Sequence, residues 1–297
     1  MVEAPGELGR SPAPRSWGEL GRFLEIQNLG LNVPFALAFL LVAAGGLPRP
    51  LPFALVVVAF VAARNAGHAF NRWVDRRLDA ANPRTAGRAL PAGRLSPAFA
   101  LGVTAASSGV VVLCAALLNP LALLLAPVAL ALVLGYSYTK RFSALTTPFL
   151  GLVESITPAA AFVAIDGRFP DAAWLAVAAI FAWGTAFETV HSLGDLASDR
   201  SLGLRSLPIR LGERGSVAMV AGLHAIALGL FVAFGVVAGL RWPFDAALAA
   251  IAVGVGASDL RLARRPQDTR TPFRRHFLFA AIFLAGVLAA LFAPALA

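Results

Sequence analysis

Nine stretches of this 297-residue chain stay apolar for about the length that a helix needs to cross a bilayer. They cover residues 29–47, 51–71, 97–118, 121–138, 146–165, 171–191, 215–239, 244–259 and 275–296, the eighth being the shortest. Pro and Gly mark connections between them, as in "LPRPLP", "LNP", "DGRFPD" and "RWPFD". Charged residues make up 14% of the sequence and hydrophobic ones 58%, whereas soluble domains carry roughly 25% charged residues. The expected fold class is therefore all-α: a polytopic membrane protein of nine transmembrane helices. One membrane domain is expected over 23–297. Residues 1–22 contain Pro5, Pro12 and Pro14 and lack the apolar core of a signal peptide. They read as a flexible tail that becomes an interfacial segment near Trp17 to Phe23.

Lys and Arg set the orientation, because they collect on the cytoplasmic side of membrane proteins. Of the 25, 22 fall in the tail or after the second, fourth, sixth and eighth stretches, counting Arg64 and Arg72 with their loop. Arg49, Arg168 and Arg241 fall on the other side. The N-terminus is thus expected in the cytoplasm and the C-terminus outside, in the inner membrane. The net charge of +9 comes from these boundary residues and does not point to nucleic acid. Cys114 is the single cysteine and excludes an internal disulfide.

The polar residues concentrate in two places. "NRWVDRRLDAANPRTAGRALPAGR" begins at Asn71, and Asn71, Asp75 and Asp79 are spaced by four. Residues three and four apart share a helix face, so these three line up, and the column extends back through His68 to Arg64. Arg64 then lies about 10 Å deeper in the membrane than Asn71, at 1.5 Å per residue. "HSLGDLASDRSLGLRSLPIRLGERG" repeats the acidic spacing at Asp195 and Asp199, with His191 one turn earlier and Glu188 another turn up. "RALPAGR" after the first cluster resembles "RSLPIR" after the second, as in an internal duplication with a site between its halves.

Four carboxylates and an amide are hard oxygen ligands suited to Mg²⁺, which shares its shell with phosphate oxygens. Arginines offer bidentate contacts to the remaining phosphate oxygens. Acid columns beside basic loops at a membrane surface therefore suggest an Mg²⁺-bound diphosphate whose apolar tail lies in the bilayer. "YSYTKRF", with Tyr136, Tyr138, Lys140 and Arg141, supplies a third basic point on the same side.

At these residues the sequence resembles the UbiA family of membrane-embedded aromatic prenyltransferases. Asn71, Asp75 and Asp79 match its NxxxDxxxD motif, and Asp195 and Asp199 match its DxxxD motif. "NPRTAGRALPAGRLS", "YSYTKRF" and "DRSLGLRSLPIRLG" resemble further family stretches. The stretch "AFNRWVDRRLDAANPRTAGRALPAGR" is most similar to the bacterial 4-hydroxybenzoate polyprenyltransferase branch, which includes the enzyme of the futalosine route to menaquinone. The resemblance implies nine helices around a central cavity, Mg²⁺ and prenyl diphosphate on the two acidic motifs, and cytoplasmic cap loops after the second and sixth helices. It departs from the family at Arg72, where many members carry Asp, at His191, usually Tyr, and at Glu154, where a small residue is expected. The histidine often present in the first helix is also missing.

The expected function is Mg²⁺-dependent transfer of a polyprenyl group from its diphosphate to an aromatic acid in respiratory quinone biosynthesis. Asn71, Asp75, Asp79, Asp195 and Asp199 are the expected metal ligands, and their carboxylates the catalytic set. Arg88, Arg94, Lys140, Arg141 and Arg205 are expected to contact diphosphate or order the caps. Arg64, deeper on the same face, is the candidate for the acceptor's carboxylate, with His68, Glu188 and His191 as further acceptor residues. A CDP-alcohol phosphotransferase would need a DG pair that is missing before Asn71 and would leave the second DxxxD unexplained. A secondary transporter would carry its acids near mid-bilayer rather than at helix ends.

Overall fold

The computed structural model describes residues 16–26, 29–82, 85–201 and 203–293, and among these no strand occurs. Eleven helices follow one another: α1 (Trp17–Phe23), α2 (Leu29–Ala43), α3 (Pro50–Ala81), α4 (Pro97–Leu118), α5 (Pro120–Phe142), α6 (Thr146–Asp166), α7 (Asp171–Gly194), α8 (Leu196–Ser201), α9 (Leu207–Val237), α10 (Trp242–Arg264) and α11 (Arg270–Phe292). Eight of them, α3 to α7 and α9 to α11, are long and apolar enough to cross a membrane. The helix α2, at 15 residues, is shorter. The chain is thus an all-helical, polytopic membrane protein, as its composition requires.

Local chemistry sets the boundaries. Proline opens α3, α4, α5, α9 and α10, where its missing N–H would have had no helical partner. Ser96 accepts from Phe99 N at 3.0 Å and Asn119 from Ala122 N at 2.9 Å, capping α4 and α5. The first apolar stretch stops short at Ala43 because Gly45 and Gly46 take positive φ, 62° and 149°. Gly212 (φ 70°, ψ 175°) breaks α9 and separates a short basic turn from the apolar run that follows.

The helix α7 is the most enclosed of the eight, its buried residues running from Ala173 to Leu193. It lies against α6, α9 and α11. Phenylalanines 39, 231, 234, 244 and 283 are fully buried and pack on one another in a core that also holds Trp183 and is shared by α2, α7, α9, α10 and α11. The helices α9 to α11 therefore buttress α7 from behind, while α2 to α7 enclose a cavity in front. Packing starts before residue 23: Glu19 and Phe23 of α1 are buried, and the Phe23 ring meets Phe99 at 5.9 Å.

Candidate active site

A cavity of about 570 Å³ lies between α2, α3, α4, α5, α6 and α7. Much of its wall is apolar, with Phe60, Val111, Leu118, Leu125, Val133 and Val153 among its residues. The polar remainder brings together Arg64, His68, Asn71, Arg72 and Arg88 from one side and Glu188, His191, Asp195, Asp199 and Arg205 from the other. Residues of both clusters, more than a hundred positions apart in the chain, therefore line one cavity, although Asp75 and Asp79 are not among the lining residues.

The first cluster is held by arginines. Asp75 is 3% exposed and Asp79 8%, so each needs a charged or donating partner. Asn71 Nδ2 donates to Asp75 Oδ2 at 3.1 Å, and Arg141 donates to Asp75 Oδ1 at 3.3 Å and to the Val74 carbonyl at 2.7 Å. Arg88 Nη1 reaches both oxygens of Asp79 at 2.9 Å. Arg94 donates to Glu19 at 3.1 Å and to the Gly87 carbonyl at 2.9 Å, so it ties the cap after α3 to α1. The side chain of Lys140 lies outside the described residues.

The second cluster does not sit on one continuous helix. Asp195 caps the C-terminus of α7 and Asp199 belongs to α8. Asp199 N nonetheless donates to the Asp195 carbonyl at 2.9 Å, which keeps the two one turn apart. Asn82 Nδ2, just past α3, donates to Ser198 Oγ at 2.9 Å. This bond fastens the end of the first motif to the middle of the second. His191 Nδ1 lies 3.6 Å from Glu188 Oε2.

The column through His68 to Arg64 resolves into two. Arg64, His68 and Arg72 are spaced by four and face the end of α1, beside the column of Asn71, Asp75 and Asp79. Both terminal nitrogens of Arg64 donate to carbonyls, Leu24 at 2.7 Å and Glu25 at 2.8 Å. Arg72 Nη2 donates to Glu25 Oε1 at 2.6 Å, and His68 Nδ1 lies 3.8 Å from Glu25 Oε2. Glu25 is the one non-glycine residue with positive φ (52°) among the described residues. Burial alone would raise its carboxyl, but His68, Arg72, Arg88 and Arg64 outweigh burial and hold it below the usual carboxylate range. Sequence reasoning passed over Glu25. Its signal was that it is the last acid before Asp75.

A comparison with protein families matches residues 32–284 to the UbiA prenyltransferase family. The chain belongs to that family. A 4-hydroxybenzoate octaprenyltransferase from Nitrosomonas eutropha is 34% identical over 252 residues, covering 83% of this chain and 86% of that one. Another from Cupriavidus metallidurans is 33% identical over 250 residues, covering 84% of each. Among solved structures, a UbiA homolog from Aeropyrum pernix K1 in its apo form superimposes with a TM-score of 0.81 at 32% identity, covering 89% of this chain and 98% of that one. A UbiA homolog from Archaeoglobus fulgidus bound to GPP and Mg²⁺ shares the fold with a TM-score of 0.72 at 19% identity, over 92% and 99%. The protein is accordingly a membrane-embedded prenyltransferase, similar to the 4-hydroxybenzoate polyprenyltransferases.

The donor set of this UbiA enzyme fits a hard divalent cation chemically, since it consists of carboxylate and amide oxygens. Among the described residues no three acids, histidines or cysteines converge into a closed metal cage. Mg²⁺ commonly takes one or two carboxylates and completes its shell with water and substrate phosphate. Acid pairs on separate helix ends, joined through Asn82 and Ser198, suit that mode better than an all-protein site.

Proposed function

We propose that this enzyme transfers a polyprenyl group from polyprenyl diphosphate to an aromatic acid of the hydroxybenzoate or naphthoate type, in respiratory quinone biosynthesis. The observation that carries the proposal is the meeting of Asn71, the acid pair Asp195 and Asp199, and several arginines at a cavity with largely apolar walls, with Asp75 one helical turn from Asn71 and hydrogen-bonded to it. The names of the relatives, 4-hydroxybenzoate octaprenyltransferase, support this acceptor class. The fold neighbour described with GPP and Mg²⁺ supports the metal–diphosphate pairing.

Asn71, Asp75, Asp79, Asp195 and Asp199 would hold Mg²⁺, directly or through water. When bound, the metal supplies Lewis-acid neutralisation of the charge growing on the diphosphate. Arg88 and Arg205 line the same end and, with Lys140 and Arg141, offer donors to the remaining oxygens. The bond between the allylic carbon and the diphosphate oxygen breaks, and its electron pair leaves with the diphosphate. A ring carbon of the acceptor then bonds to the allylic carbon, and the ring loses its proton. The apolar wall keeps water from the allylic cation. His68, Glu188 and His191 lie where an acceptor could be oriented. The lysine and arginine distribution supports nine spans, with the N-terminus and the polar cavity mouth towards the cytoplasm in the inner membrane.

The test is a mass-spectrometric product screen. Purified protein in detergent with Mg²⁺ is offered hydroxybenzoate or dihydroxynaphthoate against prenyl diphosphates of graded length. A prenylated aromatic acid is the expected product, and turnover of the diphosphate with none of these acceptors would oppose the proposal.

A further inference from the structure

We infer that Glu154 and Asn32 form the subsite for the hydroxyl group of the aromatic acceptor, on the side of the cavity built by α2, α6 and α7. The inference rests on the acceptor being a hydroxylated aromatic acid, as proposed above. It gives a role to polar side chains that the metal and the diphosphate leave unused.

Asn32 on α2, with Glu154 and Thr157 on α6, lines the main cavity and also a side niche of about 20 Å³. The rest of the niche is apolar, from Phe35, Ile180, Trp183 and Phe187. It has room for a single oxygen with its hydrogens and none for a ring. The three polar residues are half-buried rather than sealed. None of their side chains has a hydrogen-bond or ion-pair partner among the described residues. Polar groups so enclosed are rarely left unpaired, and a carboxyl within a membrane span is costly without a partner. Because these groups border open space, a bound ligand can supply what the chain does not.

The place of the carboxyl is fixed by Gly184 on α7. A Cβ there would lie 3.1 Å from Glu154 Cδ and would press on Oε2, so the carboxyl lies against bare backbone. Glu188, one turn further along α7, has His191 Nδ1 at 3.6 Å, whereas Glu154 has no such neighbour.

The chemistry selects a hydroxyl. A carboxyl keeps an accepting oxygen whether or not it holds a proton, and Asn32 Oδ1 and Thr157 Oγ1 accept as well. Three acceptors at one niche call for a ligand that donates. The prenyl group has no donor, and the diphosphate presents anionic oxygens. The hydroxyl of the acceptor donates, and its oxygen can accept from Asn32 Nδ2 in return. The acid's carboxylate is drawn instead to the arginines that line the cavity, Arg64 among them.

The experiment measures binding by calorimetry in detergent, with Mg²⁺ and a non-cleavable prenyl thiodiphosphate present. It compares 4-hydroxybenzoate with benzoate, and 1,4-dihydroxy-2-naphthoate with 2-naphthoate. Wild type should prefer the hydroxylated member of a pair by roughly 10- to 100-fold, the worth of a buried polar group otherwise left unpaired. Glu154→Ala should bring that preference to within about threefold while the plain acid binds as before or better. Glu154→Gln, a neutral acceptor of the same shape, should keep part of the preference, and Asn32→Ala should also lower it. Affinity for the thiodiphosphate should move less than about twofold in each variant. Equal losses for both members of a pair would mark a packing role and overturn the inference. An unchanged preference in Glu154→Ala, as expected of a niche that holds only water, overturns it too. If Glu154→Ala does not fold, an unchanged preference in Glu154→Gln is decisive in the same way. Wild type that binds neither pair yet consumes prenyl diphosphate overturns the functional reading, and the subsite with it. Wild type that prenylates the hydroxy acids without preferring them overturns the subsite alone.

Discussion

Replacing Gly151 by alanine tests the helix contact that positions half of the site. A Cβ at Gly151 would lie 2.7 Å from the Phe181 carbonyl oxygen and 2.9 Å from Thr185 N, and would also press on Thr185 Oγ1. The hydroxyl could rotate away, but it already donates to the Phe181 carbonyl at 2.7 Å, and the two backbone atoms cannot yield alone. Restoring an ordinary van der Waals distance requires α6 and α7 to part by about 0.7 Å. Overpacking of this kind costs roughly 1–3 kcal/mol, which corresponds to a fall in Tm of roughly 2 to 10 °C. Because α7 carries Glu188, His191 and Asp195 towards the cavity, turnover should fall with stability. The assay is thermal unfolding in detergent beside initial rates. Gly102→Ala on α4 is the matched control, since nothing lies within 4 Å of its added Cβ. If Gly151→Ala melts and turns over like Gly102→Ala, the close approach of α6 and α7 is not as described.

Three other perturbations follow from the site. A double-mutant cycle of Asn82→Ala and Ser198→Ala should show a coupling of about 0.5–1.5 kcal/mol in kcat/KM for prenyl diphosphate, the worth of one hydrogen bond; strictly additive effects would mean that this bond does not join the motifs. Arg88→Ala leaves Asp79 buried without its guanidinium and should cost on the order of 1–3 kcal/mol, less than a fully enclosed pair because Arg88 is partly exposed. Adding Asp79→Asn should restore thermal stability but not turnover, and unfolding curves beside rates check both. The lowered carboxyl of Glu25 stabilises the docking of α1 at any pH above its unfolded value. That contribution is lost as pH falls through the lowered native value, so the protection factors of α1 amides, which remove the intrinsic pH dependence of exchange, should fall in acid. In Glu25→Gln these protection factors should stay constant over that range.

The helices were largely legible because apolar length, proline starts and cap residues agree with one another. Where boundaries moved, a charge or a glycine explains it. The eighth stretch seemed short because Asp259 and Arg261 interrupt its hydropathy, yet α10 runs to Arg264. Asp259 is accommodated because His224 Nδ1 lies 3.0 Å from it. The first stretch seemed long because Gly45 and Gly46 are not polar, although their positive φ ends the helix. The spacing of the acidic residues is legible in the sequence, and Asn71, Asp195 and Asp199 line one cavity, while Asp75 and Asp79 lie behind it, held by Arg141 and Arg88. His68 stands three residues before Asn71 and four before Arg72, so spacing alone does not say which of the two neighbouring columns it joins, and Arg64, His68, Asn71 and Arg72 all line the cavity. Glu25 chooses, and it comes from a separate helix end that no periodicity in α3 could reveal. The engagement of Arg94 with Glu19 was hidden for the same reason.

The central claim is that the two acidic motifs act together, beside one cavity, to drive transfer of a prenyl group to an aromatic acid. It is tested most directly by quantifying prenylated hydroxybenzoate by mass spectrometry for wild type, Asp75→Ala and Asp195→Ala, with Mg²⁺ and with a chelator. The predicted result is a Mg²⁺-dependent product from wild type and none from either variant, both variants remaining folded in membranes. Full activity in both variants, or a wild-type product that is indifferent to the chelator, would contradict it.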